Sequence, residues 1–255
     1  MSKPSRVLAI INLFTKEQAV WSIDDMSVAL AFAKPTTYRY VKELVDEGFL
    51  QKTAAGRYAL GARFIQIDYQ IRRSDPLLLA GSPVMDDLAK EIGQSILLSK
   101  MYGRQLINIH HVGRPEAELP FPHSRGRPRP LFRGAAPKIL LAHLPRPPLL
   151  RLYQAHAAEI AEAGMGASWT EFRKLLSRVR KERFYLSIGE VEPNVAAAAV
   201  PVLDDEIEAV AALSTAGLTH DLERVGLDKI RTSLTHAARL IQNRLSNLLK
   251  QPSPG

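Results

Sequence analysis

Apolar positions recur at helical spacing, then at every second residue, and the changes of period mark out the elements. Leu8, Ile11 and Phe14 predict a first helix over Ser5–Phe14. Val20–Trp21 is a short β-prone step. Ser22 with Asp25 three residues on resembles a capping box, so a second helix is predicted to about Leu30, with Met26, Ala29 and Leu30 as its apolar stripe. Ala31–Lys34 reads as a turn. Pro35 suits the first position of a new helix, where its missing N–H is not needed, and it disfavours helix for Lys34. That helix runs to about Glu47, buries Val41, Leu44 and Val45, and stops at Gly48. Phe49–Lys52 and Arg57–Leu60 are short strands around the turn Thr53–Gly56. Helix, short strand, helix, tight turn, helix and hairpin is the order of a winged helix-turn-helix.

Beyond it, Phe64, Ile67 and Ile71 lie on one side of a helix over Gly61–Arg73, and Pro76 places a boundary near Asp75. A helix over Pro83–Ile92 ends at Gly93. Strands are predicted at Ser95–Met101 and Leu106–Val112, joined by Tyr102–Gln105. Arg114–Pro130 is rich in Pro and Arg with little periodicity. Helical spacing returns at Ala135–Leu144, is broken by Pro145–Pro148, and resumes over Leu149–Ala163 and Thr170–Glu182. Phe184–Gly189, Val195–Val202 and Glu208–Ala216 read as strands, the last two joined at Leu203–Glu206. Leu222–Leu249 is a long closing helix. The class is α+β. Residues 1–60 form a winged helix-turn-helix, 61–75 a linker helix, 76–250 a sheet domain flanked by helices, and 251–255 a tail.

The 255 residues carry a net charge of +8, and the charge is unevenly placed. Residues 1–74 hold 11 basic and 7 acidic side chains; residues 100–151 hold 10 and 2. A basic first domain fits a polyanion partner. There is no cysteine, which excludes disulfides and thiolate metal centres. No apolar run is long enough to span a bilayer and no secretory signal is evident, so the chain is expected to be cytoplasmic and away from membranes. His110 and His111 are adjacent on a predicted strand and point to opposite faces, which with His123 makes a poor metal site. No nucleophile elbow, phosphate loop or dinucleotide motif is present, so no enzyme, catalytic residue or cofactor is expected.

A recognition helix presents small polar and basic side chains from its first turns. Here these are Lys34, Pro35, Thr36, Thr37, Tyr38, Arg39 and Lys42, with Lys52 and Arg57 on the wing. Arg39 can make a bidentate contact to guanine, Thr36 can reach a base or phosphate, and Lys52 and Arg57 suit the backbone or minor groove. A winged helix used for protein contacts is the alternative.

The stretches Ser22–Leu30, Lys34–Leu44, Gly48–Leu50 and Gly56–Gly61 resemble the DNA-binding half of the IclR-type (isocitrate lyase regulator) transcription factors. Pro130–Leu131, Gly134–Ala135, Lys138–Ala142, Arg183–Tyr185, Glu190–Val195, Val200–Val202 and Ala211–Ser214 resemble its C-terminal half, in order along nearly the whole chain. The resemblance implies a GAF/profilin-like domain that binds a small metabolite. Several positions depart from the family pattern. Ala31 stands for the usual turn Gly, Pro137 for Gly, Phe132 for His, Ala197 for a frequent Cys, Ser187 for Asp and Ala216 for a second Ser.

The exchanges at Phe132, Ala197 and Ala216 imply a roomier, more apolar pocket suited to an aromatic or hydrophobic organic acid. Gly134, Ala135 and Ala136 begin a helix whose N–H groups can receive its carboxylate, with Arg133 beside them. Ser187, Glu190 and Ser214 are the expected polar groups, and Met101, Ile109, Phe132, Val195 and Ala197 the apolar wall. Of Arg125, Arg127, Arg129 and Arg133, one could pair a ligand carboxylate bidentately, with Arg133 the best placed, and most are expected at the surface or a subunit interface. Pairing through Phe64, Ile67 and Ile71 implies a homodimer or a dimer of dimers on a roughly palindromic operator. The alternative function is a winged-helix protein-interaction module with no small-molecule ligand.

Overall fold

The computed structural model describes residues 5–113, 125–204 and 209–250. Part of the Pro/Arg-rich stretch with His123, the turn residues Asp205 and Glu206, and the tail 251–255 lie outside the described residues. The chain forms two compact units, residues 1–74 and 75–255.

In the first unit, α1 (Arg6–Ile11) is capped by Ser5 and is shorter than its apolar spacing predicts, because the chain turns at Asn12. α2 (Ile23–Leu30) begins at Ser22, whose Oγ accepts from Asp25 N and donates to the Asp25 carboxylate. α3 spans Lys34–Asp46. It starts one residue earlier than Pro35 predicts: Ala33 takes the extended N-cap conformation, so Lys34 is already helical. β1 (Leu50–Lys52) and β2 (Tyr58–Leu60) pair antiparallel as the wing, and Trp21 adds a single bridge to Tyr58. Ile10, Met26, Val41, Leu44 and Leu50 are the core. Gly61 N–H donates to Phe49 O, and a Cβ at Gly61 would lie 2.2 Å from Gly48 O, so this close approach needs glycine.

α4 (Arg63–Ser74) corrects the expected linker stripe. Phe64 packs edge-on against Phe49 and Ile67 is half-buried. The apolar side chains left outward are Ile65 (75% exposed), Tyr69 (62%) and Ile71.

The second unit begins with α5 (Pro76–Ile92), seven residues earlier than predicted. Asp75 accepts from Leu77 N as its cap, Pro76 opens the helix rather than ending one, and Pro83 lies inside it on the exposed side. β3 (Ser95–Tyr102) and β4 (Gln105–Val112) form a hairpin with a bulge between Leu98 and Ser99. β5 (Pro128–Arg129) pairs with Leu106–Ile107. α6 (Ala135–His143), α7 (Arg146–Glu162) and α8 (Trp169–Glu182) follow. The prolines at 145–148 end α6 but also open α7, which therefore starts before the predicted Leu149. β6 (Tyr185–Ile188), β7 (Val195–Leu203) and β8 (Ala209–Leu218) complete the sheet. The predicted closing helix is two, α9 (Thr219–Val225) and α10 (Leu227–Lys250), parted by Gly226 at φ +92°.

The six strands run antiparallel in the order β5-β4-β3-β8-β7-β6. Alternation divides their side chains between two faces. Ala196, Ala198, Val200 and Val202 pack with α5 and α10, whereas Ala199 and Ala212 pack with α6, α7 and α8. Where the second helical layer stops short, the same face bears Leu97, Val195, Ala197 and Ala216 as a small separate cluster.

Candidate functional site: a helix-turn-helix face and an inward pocket

On the first unit, the start of α3 is exposed because its apolar positions, Val41 and Leu44, face α1 and α2. Lys34, Pro35, Tyr38, Arg39 and Lys42 are outward and Thr36 is half-buried. Lys34 makes a 2.7 Å ion pair with Asp24 of α2, both exposed. Arg39 lies over the Tyr40 ring at 5.0 Å and donates to its hydroxyl. Ser22, Asp24, Lys34, Pro35 and Tyr38 border one shallow depression together with the wing tip at Ala55–Gly56. Lys52 and Arg57 are exposed on the wing outside it. Thr37 departs from the sequence expectation: it is fully buried, its Oγ1 accepting from Ser27 Oγ at 2.9 Å and lying 3.4 Å from Ala33 O. It fastens α3 to α2 and presents nothing outward.

On the second unit, a pocket lies between the sheet and the start of α6. Of the residues expected there, Arg133, Gly134, Ala135, Ala136, Ser187, Val195, Ala197 and Ser214 line it. Gly134 sits at φ +96° ahead of α6. Arg133 extends to the backbone carbonyls of Glu190 and Glu162.

Glu190 is not in the pocket wall. Its carboxylate accepts from Gly134 N at 2.9 Å, from the Tyr185 hydroxyl at 3.1 Å and from the ammonium of Lys138. Lys138 is only 2% exposed and lies over the Tyr185 ring. Burial lowers the Lys138 pKa against the raising effect of Glu190. Burial, with the Glu190 carboxylate second, pushes the Tyr185 hydroxyl up to about 12. Glu190 thus closes one of the N–H positions that the sequence offered to a ligand carboxylate, and it ties the β6–β7 connection to α6.

Two family models match this chain: the IclR helix-turn-helix domain over residues 4–54, and the bacterial transcriptional regulator IclR C-terminal domain over residues 72–243. The chain belongs to the IclR family. This IclR-family chain is 25% identical to the HTH-type transcriptional regulator XynR of Escherichia coli K12 over 241 residues, covering 94% of this chain and 95% of that protein. Its fold is that of the Thermotoga maritima IclR (TM-score 0.75, 19% identity, 94% of this chain and 97% of that one). It is likewise that of an IclR homolog from Microbacterium hydrocarbonoxydans complexed with 4-hydroxybenzoate (TM-score 0.78, 20% identity, 95% and 98%). The chain is a DNA-binding transcriptional regulator with a C-terminal effector-binding domain, in a family of regulators rather than enzymes. Among the described residues no helix is long and apolar enough to cross a membrane.

Three expected wall residues of this regulator lie elsewhere. Ile109 packs toward α5 and α10: its neighbour Asn108 faces the pocket, and a step of one residue along a strand changes faces. Phe132 is fully buried in the layer of α6, α7 and α8, with its ring 5.6 Å from that of His156. Met101 packs against that same layer. The wall that the sequence did not assign comprises Leu97, Ser99, Leu106 and Asn108 on the β3–β4 hairpin, together with Arg129 and Val191, while Pro137 and Ala216, read as departures around the pocket, also line it. Alternation along β3 and β4 carried the signal for the hairpin residues, but the bulge at Leu98/Ser99 shifts the register between the two strands. Arg129, expected at the surface, is turned inward by the pairing of β5 with β4, and its guanidinium pKa is lowered by burial and then by Arg127.

Proposed function

We propose that this regulator reads a roughly palindromic operator in double-stranded DNA through α3 and the wing, and that a small organic acid with an aromatic body controls its DNA affinity from the second unit. Arg39 and Thr36 are assigned to bases; Lys34, Pro35, Tyr38, Lys42, Lys52 and Arg57 position the duplex. Thr37 is left out of this set because it is buried. The observation that carries the acid is the charge of the pocket wall among the described residues: two arginines, Arg129 and Arg133, and no carboxylate. The walls at Leu97, Val195, Ala197 and Ala216 favour an apolar body. The 4-hydroxybenzoate held by the Microbacterium protein of the same fold supports the aromatic reading.

A homodimer, or a dimer of dimers, is proposed from the outward apolar side chains Ile65, Tyr69 and Ile71 of α4, which pairing across a two-fold would cover. A two-fold protein requires half-sites one helical turn or a multiple apart. Effector binding changes DNA affinity only through a difference between two arrangements of the units, passed through α4, and a coupling of about 1–3 kcal/mol is the ordinary size.

Two measurements test the reading. Arg39→Ala is expected to cost about 1–3 kcal/mol on the specific operator and to erase sequence preference; an unchanged ratio of specific to nonspecific binding would remove α3 from base readout. Calorimetry with aromatic and aliphatic acids is expected to show saturable binding that alters operator affinity. Absence of heat with every acid would instead favour the ligandless interaction module.

A further inference from the structure

Residues 168–183 hold six basic and two acidic side chains, and the packing of α8 decides where they point. Phe172, Leu176 and Val179, at helical spacing, are buried in the second helical layer, which leaves the opposite side of the helix to solvent. That side carries Arg173, Lys174, Arg178, Arg180 and Lys181, and Arg183 follows as the C-cap; all six are exposed. None of them is in an ion pair among the described residues. Arg173 lies over the Trp169 ring at 5.8 Å, which leaves its charge in place. The two carboxylates do not neutralise the face. Glu171 accepts from Ala167 N at the start of the helix, and Glu182 is likewise outside any ion pair among the described residues.

Such a face works against the helix that bears it. Like charges one turn apart repel, as between Lys174 and Arg178, Arg178 and Lys181, and Arg180 and Arg183. The helix dipole favours cations in the last turn but gives no support to Arg173 and Lys174 in the second. α10 spreads its exposed cations over 24 residues, whereas α8 and its cap concentrate six within positions 173–183. A concentration of one sign without a counter-charge in the fold is complementary to a polyanion. Four of the six are arginine, whose planar fork matches phosphate oxygens. Lys174, Arg178 and Lys181 share a ridge of about 10 Å at about 1.5 Å per residue, the run of roughly three phosphates on one strand of a duplex.

We propose that the outward face of α8 is a second DNA contact, a sequence-independent seat for the phosphate backbone. This rests on duplex binding by α3 and the wing and adds to it. Once the first unit holds DNA, the α8 face meets the same duplex as a tethered second site, and weak phosphate contacts then gain from effective concentration. Contacts of this kind position a duplex and carry no sequence information. The competing partner for such a face is an acidic protein surface; the binding of DNA by the same chain favours the duplex.

The first test needs no variant. Lysines of the full chain are acetylated with an amine-reactive reagent, with and without a random-sequence duplex of about 40 base pairs, roughly four helical turns, and the modified sites are read by mass spectrometry. The duplex is expected to protect Lys174 and Lys181 together with Lys42 and Lys52, while the exposed Lys90 on α5 stays reactive. Protection of Lys42 and Lys52 alone overturns the inference and leaves the DNA reading of the first unit standing; protection of no lysine removes both. If the duplex leaves Lys174 and Lys181 reactive and poly-L-glutamate protects them, the face belongs to an acidic protein partner and the DNA inference is overturned. The second test titrates the same duplex, over a range of salt, against a chain carrying Arg173→Gln, Lys174→Gln, Arg178→Gln and Lys181→Gln. Each phosphate contact contributes about 0.9 to the slope of log affinity against log salt, so the slope is expected to fall by at least about 2 and the low-salt affinity by at least about tenfold. Glutamine is a good helix former and the repulsion is gone, so α8 is expected to persist. A matched chain with glutamine at the dispersed, exposed Arg151, Lys229, Arg239 and Arg244 should keep the wild-type slope. An equal fall in both chains would make net charge, rather than this face, the cause and would overturn the inference.

Discussion

The two units arrange polar side chains in opposite senses. In the winged unit the core is small, and the start of α3 projects what that core does not use: Lys34, Tyr38, Arg39 and Lys42 are all exposed. In the sheet unit the polar residues of interest are turned inward. Lys138, Ser187, Ser214, Ser99 and Asn108 are all buried, and each must be matched by a partner or by a ligand. An outward site tolerates change at modest cost to the fold. An inward site shares its residues with the core, so its chemistry and its stability are tied together.

The largest effect should come from the inward side. Glu190→Gln keeps an acceptor near Gly134 N but leaves the Lys138 ammonium buried without its counter-charge. Removing one partner of a buried pair costs about 3–5 kcal/mol. The lower figure is expected, because Glu190 is 22% exposed. Adding Lys138→Met should restore most of the loss. The chain has two tryptophans, Trp21 in the first unit and Trp169 in the second, so denaturation of a Trp21→Phe background reads the second unit alone. A loss below about 1 kcal/mol, the level of an exposed pair, would show that Lys138 is not desolvated.

Thr37 breaks the simple contrast, since it is an inward polar residue within the outward unit. Thr37→Val should destabilise the first unit by about 1 kcal/mol, the size of the hydrogen bond lost between Thr37 and Ser27, whose hydroxyl keeps its 2.7 Å contact with Ile23 O. It should leave the ratio of specific to nonspecific DNA binding unchanged. Thr36→Ala should do the reverse, altering binding with little effect on stability. Operator titrations of the two variants, beside denaturation read by Trp21 in a Trp169→Phe background, check both.

That asymmetry also governs how much could be read from the sequence. Period and caps located the elements of both units, and the Ser22–Asp25 cap and the Gly48 stop stand where the spacing put them. Prolines misled wherever they were taken only as breaks: Pro76 and Pro147 each open a helix. The outward face of α3 was legible because helical spacing separates buried from exposed positions, with Thr37 the exception that only its contact with Ser27 reveals. Pocket residues obey the same alternation as core residues, so neither hydrophobicity nor spacing distinguishes Ile109 from Asn108; strand parity and one bulge decide it. Arg129 depended on a two-residue edge strand too short to carry a period.

A pH-dependent effect separates the units further. His143 in α6 is buried, with Nδ1 at 2.8 Å from Ile139 O. Its pKa is lowered by burial, against that hydrogen bond, and further by Arg180 and Arg183. The folded state therefore binds the proton less readily than the unfolded chain, whose ordinary value is 6.5. The stability contributed by neutral His143 is complete above pH 6.5 and is lost as pH falls from there toward the lowered folded value. The slope from one proton is at most about 1.4 kcal/mol per pH unit. His143→Gln should flatten the acid limb of the second unit's stability and leave the Trp21-reported unit unchanged. Equal slopes in wild type and variant would mean that His143 protonates in the folded state without penalty.

The smallest expected effect lies at the turn that sets α3. Ala31 closes α2 in the left-handed region, at φ 52° and ψ 42°, with its N–H directed to Ser27 O and Val28 O. A side chain there crowds its own backbone, whereas glycine adopts the conformation without a Cβ penalty. Ala31→Gly should stabilise the winged unit by about 0.5–1 kcal/mol, the relief at the cap exceeding the added entropy of the unfolded chain. The gain should appear in Trp21 fluorescence during denaturation and be absent from the Trp169 signal. Because the backbone path into α3 is unchanged, Arg39 keeps its place and operator preference should not move. Destabilisation of a similar size would instead be the cost of a glycine within a right-handed helix, and would mean that α2 continues through residue 31 in solution.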